Sequence, residues 1–571
     1  MPPKEKQSKV KMSFNGWVTG SDAGVKPASA AAGLPARQFD YRQIHDWEIR
    51  IMTLMEIRKV HHALLHWRNF RLKLFAEGII TGLIGGLTVV LFRFALEAAE
   101  VLRTSLYQQL NKGNMALIAG WFILLAGIAC LLGRIVKFEP MCSGSGIPQT
   151  KGVLLGLIKM DCLKVLAAKF IGGVLAIGAG MSLGREGPSI QIGAVIGQGF
   201  SRFLGRDSME ERYLLTSGAS AGLAAAFNAP LAGVIFSLEE LHKNFSPAVL
   251  MPAVAASLTA DFMVRYFSGR EPIWNFSGVP VLPAHYYVYL LILGVITGLF
   301  GAVFNSLLLK TLDIYSRQQV LPAGGKALLP LIAGGIAGFI LPEILGGGNT
   351  LVGVISRGQF DLSMLLILLA VKFLYTMLSY GSGVPGGIFL PLLVIGALTG
   401  EAFSRILVIA GVKPDYHTTF IILAMAAYFT AIVKAPVTGS VLITEMTGSF
   451  RHLPELITIC MIAYVTADFV KAEPIYESLL ERMLQRGLPA VTKTAPPRTV
   501  MEIVVCLGSK LDGRIIKEID WPPHCLLVCV RRGEREIVPK GDTELVAGDY
   551  LFVSANEDCA VDIKTLAEDC R

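Results

Sequence analysis

An internal repeat constrains the fold of this sequence more than any other feature. Residues 184–197 and 387–400 share glycines, a proline and an Ile-Gly-Ala run at the same places, 203 residues apart. Downstream, residues 229–239 and 435–445 share an Ala-Pro pair, a glycine and a closing glutamate, 206 residues apart. Two patterned matches in the same order predict that the chain contains two structurally related halves.

The composition places these halves in a membrane. Of the 571 residues, 53% are hydrophobic and 17% are charged, against roughly 25% charged residues in soluble domains. A helix that spans a bilayer needs about 20 apolar residues. Five apolar stretches have this length or are a little shorter: Phe75–Phe94, Leu117–Leu132, Tyr287–Phe304, Leu328–Leu341 and Met364–Leu378. The sequence predicts an all-α polytopic membrane protein with halves at about 74–245 and 285–480. Such halves commonly have inverted topology in transporters, with the site at their interface.

The two ends of the chain are polar. The predicted segments are an N-terminal arm with an amphipathic helix (1–72), a membrane domain (73–483), a linker (484–499) and a small α/β domain (500–571). Basic residues before the first span are Arg58, Lys59, Arg68, Arg71 and Lys73. By the positive-inside rule they predict a cytoplasmic N-terminus. No signal peptide is expected, because the first 70 residues contain no apolar core segment.

The segment Gly184–Pro188 places an Arg and a Glu between two long apolar runs. At bilayer depth each charge costs roughly 2.5–3.5 kcal/mol, so such residues usually face an ion path or a buried partner. Pro188 suits the first turn of a helix, and the N–H groups of a helix start form an anion site. Glu186 then stands at that site as a tethered carboxylate, where the second half has Phe389. The alternative is a tight turn carrying a surface ion pair.

The repeat also separates two neighbouring acids. Glu239 corresponds to Glu445, which predicts the same structural role in both halves, whereas Glu240 corresponds to Met446. Adjacent helical residues point about 100° apart, so Glu240 faces a different environment from Glu239. An unduplicated acid after the apolar run Leu231–Leu238 is a candidate proton carrier. The alternative is an acid at a helix end in cytoplasmic water.

Three motifs in this order resemble the CLC family of chloride channels and proton-coupled chloride antiporters. They are Gly144–Pro148 (GSGIP), Gly184–Pro188 (GREGP) and Gly387–Pro391 (GIFLP). The resemblance covers nearly all of residues 74–480. It implies a homodimer in a lipid bilayer, with a separate ion pathway in each subunit and two inverted repeats per subunit.

The resemblance also implies a chloride site made of neutral donors. Ser145 would offer its hydroxyl to a central chloride, and the backbone N–H groups of Ile388 and Phe389 would donate to the same ion. The remaining ligand would be the hydroxyl of Tyr476. Such donors bind an anion firmly enough to remove part of its water, without a full cation that would trap it.

By the same resemblance, Glu186 would be the gating glutamate of an outer site that includes Arg185 and Gly187. Deprotonated, it would compete with chloride; protonated, it would swing out and carry a proton. Glu240 matches the family's intracellular proton glutamate, which antiporters have and channels replace. Lys169 matches a buried lysine that adds positive potential near the path. The alternative for Lys169 is a lysine that snorkels to the interface.

Two positions bear on the family comparison. Gln149 and Lys151 stand where some antiporters of the family have acids, which puts a proton route through those acids in doubt. The fluoride-exporting branch usually has Met in place of the serine in the first motif. Ser145 therefore favours chloride as the transported anion.

The C-terminal segment has the pattern of a small sheet. Residues 500–506, 525–531 and 548–553 are predicted strands, so Cys525 and Cys529 beside His524 are interpreted as strand residues and not as metal ligands. Segments from Leu511 to Asp549 resemble the small C-terminal domain of RCK (TrkA-C-like) regulatory modules. In that family the domain dimerises and sometimes binds a ligand such as a cyclic dinucleotide. A plain dimerisation module is at least as well supported.

The sequence predicts a proton-coupled chloride antiporter of the plasma membrane, a bacterial inner membrane protein with both termini cytoplasmic and a regulatory C-terminal domain. Two other functions stay open: a passive chloride channel on the same scaffold, and a membrane subunit that senses a ligand or binds a partner through its C-terminal domain. No cofactor, metal or nucleic acid is expected. An enzyme is not expected either, because the sequence has no nucleophile–base pair or metal cluster.

Overall fold

The structure, a computed structural model, describes part of the chain. The described residues are 41–243, 245–269, 271–276, 278–318, 323–485, 498–522, 525–533, 535–556 and 566, without the side chains of 41–71, 323–324, 498–501 and 556. The predicted arm over 1–40, His524 and most of the predicted linker over 484–499 lie outside them.

The described residues contain seventeen α-helices. The first eight are α1 (Tyr41–Leu110), α2 (Met115–Phe138), α3 (Ile147–Leu154), α4 (Cys162–Gly178), α5 (Glu186–Phe203), α6 (Ser208–Phe227), α7 (Pro230–Phe236) and α8 (Pro247–Ser268). The others are α9 (Tyr287–Arg317), α10 (Ala323–Ile340), α11 (Asn349–Ile355), α12 (Leu362–Gly381), α13 (Phe389–Ile409), α14 (His417–Val433), α15 (Pro436–Thr447), α16 (Leu453–Phe469) and α17 (Ile475–Gln485). A π-helical turn, Ser237–His242, follows α7.

Helices α9–α16 repeat the order of α1–α8, so the two halves predicted from the sequence are present. Helix α8 occupies the place of α16, which extends the first half past residue 245. Helix α17 has no counterpart in the first half. Helix α1 runs unbroken through residue 72, where the sequence predicted a boundary between an amphipathic helix and the first span.

Equivalent residues end and start equivalent helices. Asn228 after α6 and Lys434 after α14 both adopt the left-handed conformation, with φ of 55° and 66°, which terminates a helix. Pro230 and Pro436 then begin α7 and α15, where the missing N–H of proline costs nothing. The Ala-Pro pairs of the repeat therefore mark a sharp break between two helices in each half.

Eight helices within the described residues are long and apolar enough to cross a bilayer. They are Leu72–Leu110, Met115–Phe138, Pro247–Ser268, Ala284–Arg317, Leu362–Gly381, Phe389–Ile409, Pro414–Val433 and Phe450–Phe469. Large apolar side chains such as Ile123, Leu163 and Phe262 are exposed on the outer surface, as expected for a surface in lipid. The protein is a multi-pass membrane protein.

A pseudo-twofold axis relates the halves. Gly184 and its repeat counterpart Gly387 form an antiparallel bridge, in which each N–H donates to the other's carbonyl oxygen, at 2.6 and 2.8 Å. A pair formed by a residue and its own counterpart lies across the axis of symmetry. The two predicted repeats are therefore related by a twofold axis that passes beside Glu186.

Two glutamates cross this axis. The Glu239 carboxylate accepts hydrogen bonds from two backbone N–H groups in the first turn of α15, at 3.2 and 2.7 Å. The Glu445 carboxylate does the same for α7, at 3.1 and 2.7 Å. Helix starts have unpaired N–H groups that favour a negative partner. The predicted common role of these two acids is confirmed. Each carboxylate binds the start of a helix in the opposite half of the membrane domain.

We expect Glu445→Ala to reduce stability. The substitution leaves N–H groups at the start of α7 without their acceptor, which costs about 1–3 kcal/mol for a buried donor. Thermal unfolding in detergent should show a lower Tm than that of the wild type. An unchanged Tm would contradict this structural role.

The C-terminal domain is a four-stranded antiparallel sheet of order β1-β4-β2-β3. Its strands are β1 (Arg498–Val504), β2 (Leu526–Arg532), β3 (Arg535–Ile537) and β4 (Tyr550–Asn556). Val530, Leu551 and Val553 are fully buried in its own small core. The small strand-containing domain predicted for this end of the chain is confirmed.

An ion pair ties β2 to the turn before β4. The Arg532 guanidinium donates to both oxygens of Asp549, at 2.7 and 2.8 Å, and the Val546 N–H donates to the same carboxylate. Burial raises the pKa of the Asp549 carboxyl, but the hydrogen bonds from Arg532 and Val546 outweigh it and hold that pKa below its usual value.

The Asp549 pair predicts acid sensitivity of this domain. A carboxyl whose pKa is lower in the folded state contributes stability above its unfolded pKa of about 4, and that contribution is lost as the pH falls through the folded pKa. Hydrogen-exchange protection of residues 498–556 in the full chain should therefore decrease below about pH 4. Asp549→Asn should reduce protection at neutral pH and remove this acid step. An unaltered step would assign it to another group.

Candidate functional site at the meeting point of three helix starts

Three helix starts meet beside the pseudo-twofold axis. They are the N-termini of α3, α5 and α13, and each follows one of the three glycine-containing motifs. Backbone bridges join the segments that precede these helices, one between Gly144 and Pro385 and one between Gly184 and Gly387. The chain therefore brings together the three motifs that the sequence singled out.

Ser145 is buried at the start of α3, with 1% of its surface exposed. Its hydroxyl oxygen accepts a hydrogen bond from the N–H of Ile147 at 3.1 Å, which leaves the hydroxyl hydrogen free to donate. A Cβ atom added to Gly187 would lie 2.7 Å from the Ser145 carbonyl oxygen. Glycine at this position therefore lets α5 approach Ser145 closely.

The other predicted donors lie at the ends of helices in the second half. Ile388 caps α13 and Phe389 begins it, and no backbone acceptor within the described residues takes their N–H groups. Tyr476, near the start of α17, is fully buried with its hydroxyl unpartnered among the described residues. It interacts electrostatically with Glu186 and Glu240. Neutral donors of this kind suit an anion.

Glu186 is completely buried, and neither of its carboxylate oxygens has a hydrogen-bond partner among the described residues. The backbone N–H groups of Glu186 itself and of Leu390 act on it electrostatically. Among the described residues, the ion pair of its neighbour Arg185 is with Glu97, at 3.8 Å. The alternative of a surface ion pair is therefore wrong for Glu186. A buried carboxylate without a side-chain partner is costly to hold, and the two nearby backbone N–H groups are the donors that act on it.

Two separate cavities approach the site. One, of about 360 Å³, is lined by Ser145, Gln149, Tyr380 and Arg482 among others. The second, of about 430 Å³, is lined by Arg93, Arg103, Arg185 and Leu390 among others. The cavities share no lining residue, and Glu186, next to Arg185, lines neither. The arrangement therefore provides two entrances with a buried acid between them.

Glu240 lies on the π-helical turn after α7, where the second half continues as the regular helix α15. This turn directs Glu239 across the axis and Glu240 toward α3. Glu240 is 3% exposed and forms an ion pair with Lys151 at 2.9 Å. The alternative of an acid in water is therefore wrong. Lys151, one of the two departures from the antiporter pattern, is the direct partner of the candidate proton carrier.

Lys169 is fully buried and donates to the carbonyl oxygens of Cys142 and Gly144, both at 2.8 Å. Its burial excludes the snorkelling alternative. The sequence interpretation missed its counterpart Lys372, 203 residues later, which donates to two carbonyl oxygens before α11 at 2.8 and 2.7 Å. The repeat spacing is the signal that identifies Lys372. One buried ammonium in each half holds the loop before a short helix.

The comparison with known proteins agrees with this arrangement. The profile of the voltage gated chloride channel family matches residues 127–468, more than half of the chain. The chain belongs to the voltage gated chloride channel family. A second profile, that of the TrkA-C domain, matches residues 500–560. This CLC chain thus combines the family's membrane domain with a TrkA-C domain.

Several proteins of the family resemble this CLC chain along most of their length. The H(+)/Cl(-) exchange transporter ClcA of Salmonella paratyphi B is 38% identical over 423 residues, which cover 72% of this chain and 87% of that protein. The crystal structure of a slow cyanobacterial Cl-/H+ antiporter matches with a TM-score of 0.70 and 32% identity, over 72% of this chain and 98% of the other. A CLC-type fluoride/proton antiporter shares the fold, with a TM-score of 0.59 and 23% identity, over 71% of this chain and 96% of the other.

Proposed function

We propose that the protein exchanges chloride for protons across the membrane. The observation that carries this proposal is Glu186, a fully buried carboxylate without a hydrogen-bonded side chain among the described residues, placed where neutral donors converge. An acid in such a place competes with an anion when it is charged and vacates the place when it is protonated. The exchange transporter ClcA and the Cl-/H+ antiporter structure support the same function.

Chloride occupies the space at the three helix starts. Ser145 and Tyr476 contribute hydroxyl groups, and Ile388 and Phe389 contribute backbone N–H groups. Each is buried, so few water molecules compete with the ion for these donors. The partial positive charge at the helix N-termini adds to their attraction for an anion.

Protons use the two buried acids. Glu186 accepts a proton, leaves the anion site and exposes it to the cavity lined by Arg185, while Gly187 keeps the backbone close to Ser145. Glu240 delivers protons from the opposite side of Tyr476. Lys169 adds positive potential next to Ser145 through its bond to the Gly144 carbonyl.

The reversal potential in reconstituted bilayers under a pH gradient tests the proposal. Coupled exchange predicts a reversal potential that shifts when the pH of one side changes at constant chloride. The second candidate is a passive chloride channel, which the ion pair between Lys151 and Glu240 favours because the ammonium attracts the charged form of the carboxylate and so opposes its protonation. A reversal potential that follows the chloride gradient alone would establish the channel and overturn exchange.

The remaining proposals concern assembly and regulation. The protein works as a homodimer in the bacterial inner membrane with both termini in the cytoplasm, and its TrkA-C domain regulates transport, either as a dimerisation module or by binding a ligand such as a cyclic dinucleotide. Deletion of residues 490–571 tests this regulation. Wild-type flux after deletion would contradict it, and a lost phenotype with negligible flux in the intact chain would favour a sensing or partner-binding subunit.

A further inference from the structure

A line of alternating charges connects Glu240 with water. The Lys151 ammonium contacts the Glu240 carboxylate at 2.9 Å and the Glu477 carboxylate at 3.1 Å. Glu477 also forms an ion pair with Lys243. The exposed fraction of the side chain increases along this line, from 4% for Lys151 and Glu240 to 32% for Glu477 and 54% for Lys243. Glu477 is therefore the acid at which this cluster meets water.

The four residues come from three separate elements. Lys151 lies on α3, Glu240 and Lys243 lie on and just after the π-helical turn, and Glu477 lies on α17. The charged groups that face Glu477 are Lys151 and Lys243, with Glu240 beyond Lys151. The residue before Glu477 is the proposed chloride ligand Tyr476. The cluster is thus attached to the anion site through α17.

Two carboxylates contact Lys151, so the ammonium keeps a negatively charged partner when one of them is protonated. If Glu240 were the sole partner of Lys151, protonation of Glu240 would leave a buried ammonium unpaired, and a buried charge that loses its partner is strongly destabilising. Glu477 keeps a negative charge at 3.1 Å from the same ammonium. Glu240 can therefore gain and lose a proton while Lys151 stays paired.

We propose that Glu477 is the acid through which protons enter this side of the pathway, and that Lys151 passes them to Glu240. A hydronium ion in the solution that Glu477 contacts protonates the Glu477 carboxylate and leaves as water. The Lys151 ammonium then donates one proton to the Glu240 carboxylate and regains one from the Glu477 carboxyl. The net result is one proton moved from Glu477 to Glu240, with Lys151 an ammonium before and after. This inference rests on the proposed exchange and names the residues that load its inner acid.

The first test compares Glu477→Gln with the wild type in liposomes, with chloride and proton fluxes recorded together over a range of pH. Chloride flux should stay within about twofold, while proton flux falls by about tenfold or more because the positioned donor is lost. The pH dependence of proton flux should flatten. Glu481→Gln, one turn further along α17 on an exposed residue, is the matched control and should leave both fluxes unchanged.

The second test separates a relay from a fixed counter-charge. Lys151→Arg keeps the positive charge, but a guanidinium does not release a proton in proteins. The relay predicts lower proton flux with retained chloride flux, whereas a fixed counter-charge predicts wild-type proton flux. If Lys151→Arg does not fold, Lys243→Gln at the exposed end of the cluster should shift the pH profile of proton flux alone.

Three results would overturn the inference. They are a proton flux in Glu477→Gln equal to that of the wild type, an equal fall of both fluxes in that variant, and a wild-type proton flux in Lys151→Arg. None of these results contradicts the proposed exchange if proton and chloride fluxes are coupled in the wild type. A wild type that moves no protons would instead overturn the proposed function, and this inference with it.

Discussion

Glu186→Ala is expected to abolish proton movement while anion flux persists. The substitution removes the carboxylate that lies buried between the two cavities, so no side chain at this position competes with the anion for the helix starts or carries a proton past them. Proton flux should fall by more than about tenfold, which corresponds to about 1.4 kcal/mol. Anion flux should become independent of pH. Paired measurements of chloride and proton flux in liposomes check both parts.

Glu97→Ala is the matched control for this variant. Glu97 lines the cavity beside Arg185, but half of its side chain is exposed, and it lies outside the meeting point of the helix starts. Its loss removes a nearby negative charge and should leave coupling intact. Glu186→Ala protein that folds but passes no anions would contradict the picture of a tethered carboxylate in the anion path.

Glu240→Gln should uncouple chloride flux from proton flux by blocking the proton path on the side of the anion site opposite to Glu186. The amide cannot carry a proton, so proton flux should fall by more than about tenfold while chloride flux stays close to the wild-type value. Lys151 keeps a partner in Glu477, so the fold should survive. A reversal potential that no longer shifts with pH is the expected measurement.

The neighbouring acid supplies the control for Glu240. Glu239→Gln changes the same chemical group one residue earlier, but Glu239 fastens the start of α15 and does not face Lys151. It should lower thermal stability and leave the ratio of the two fluxes unchanged. Unchanged coupling in Glu240→Gln would return Glu240 to a structural role and favour the channel.

Much of the fold could be predicted from the sequence because the positions that repeat between the two halves are mostly glycines and prolines. Gly184, Gly187 and Gly387 stand where backbones touch, and Pro230 and Pro436 stand where helices begin. Steric requirements of this kind leave few residue types at a position. They therefore remain visible in a single sequence, and they marked the three segments that meet at the site.

The charge cluster at Glu240 could not be predicted in the same way. Lys151, Glu240 and Glu477 are brought together from α3, the π-helical turn and α17, over separations of 89 and 326 residues. No local pattern encodes such contacts, and a π-helical turn has no sequence signature comparable to a proline. The sequence identified Lys151 only as a departure from other antiporters, whereas the structure shows it as the partner of Glu240.

The fastening of the two halves limits how the protein can change shape during transport. Many transporters alternate access by rocking one repeat as a rigid body against the other. Here Glu239 and Glu445 each hold the first turn of a helix in the opposite half, and Gly184 and Gly387 are hydrogen-bonded on the axis itself. Rocking would break all of these bonds at once. These contacts therefore oppose a rigid-body movement of one half against the other, whereas a movement of the Glu186 side chain breaks none of them.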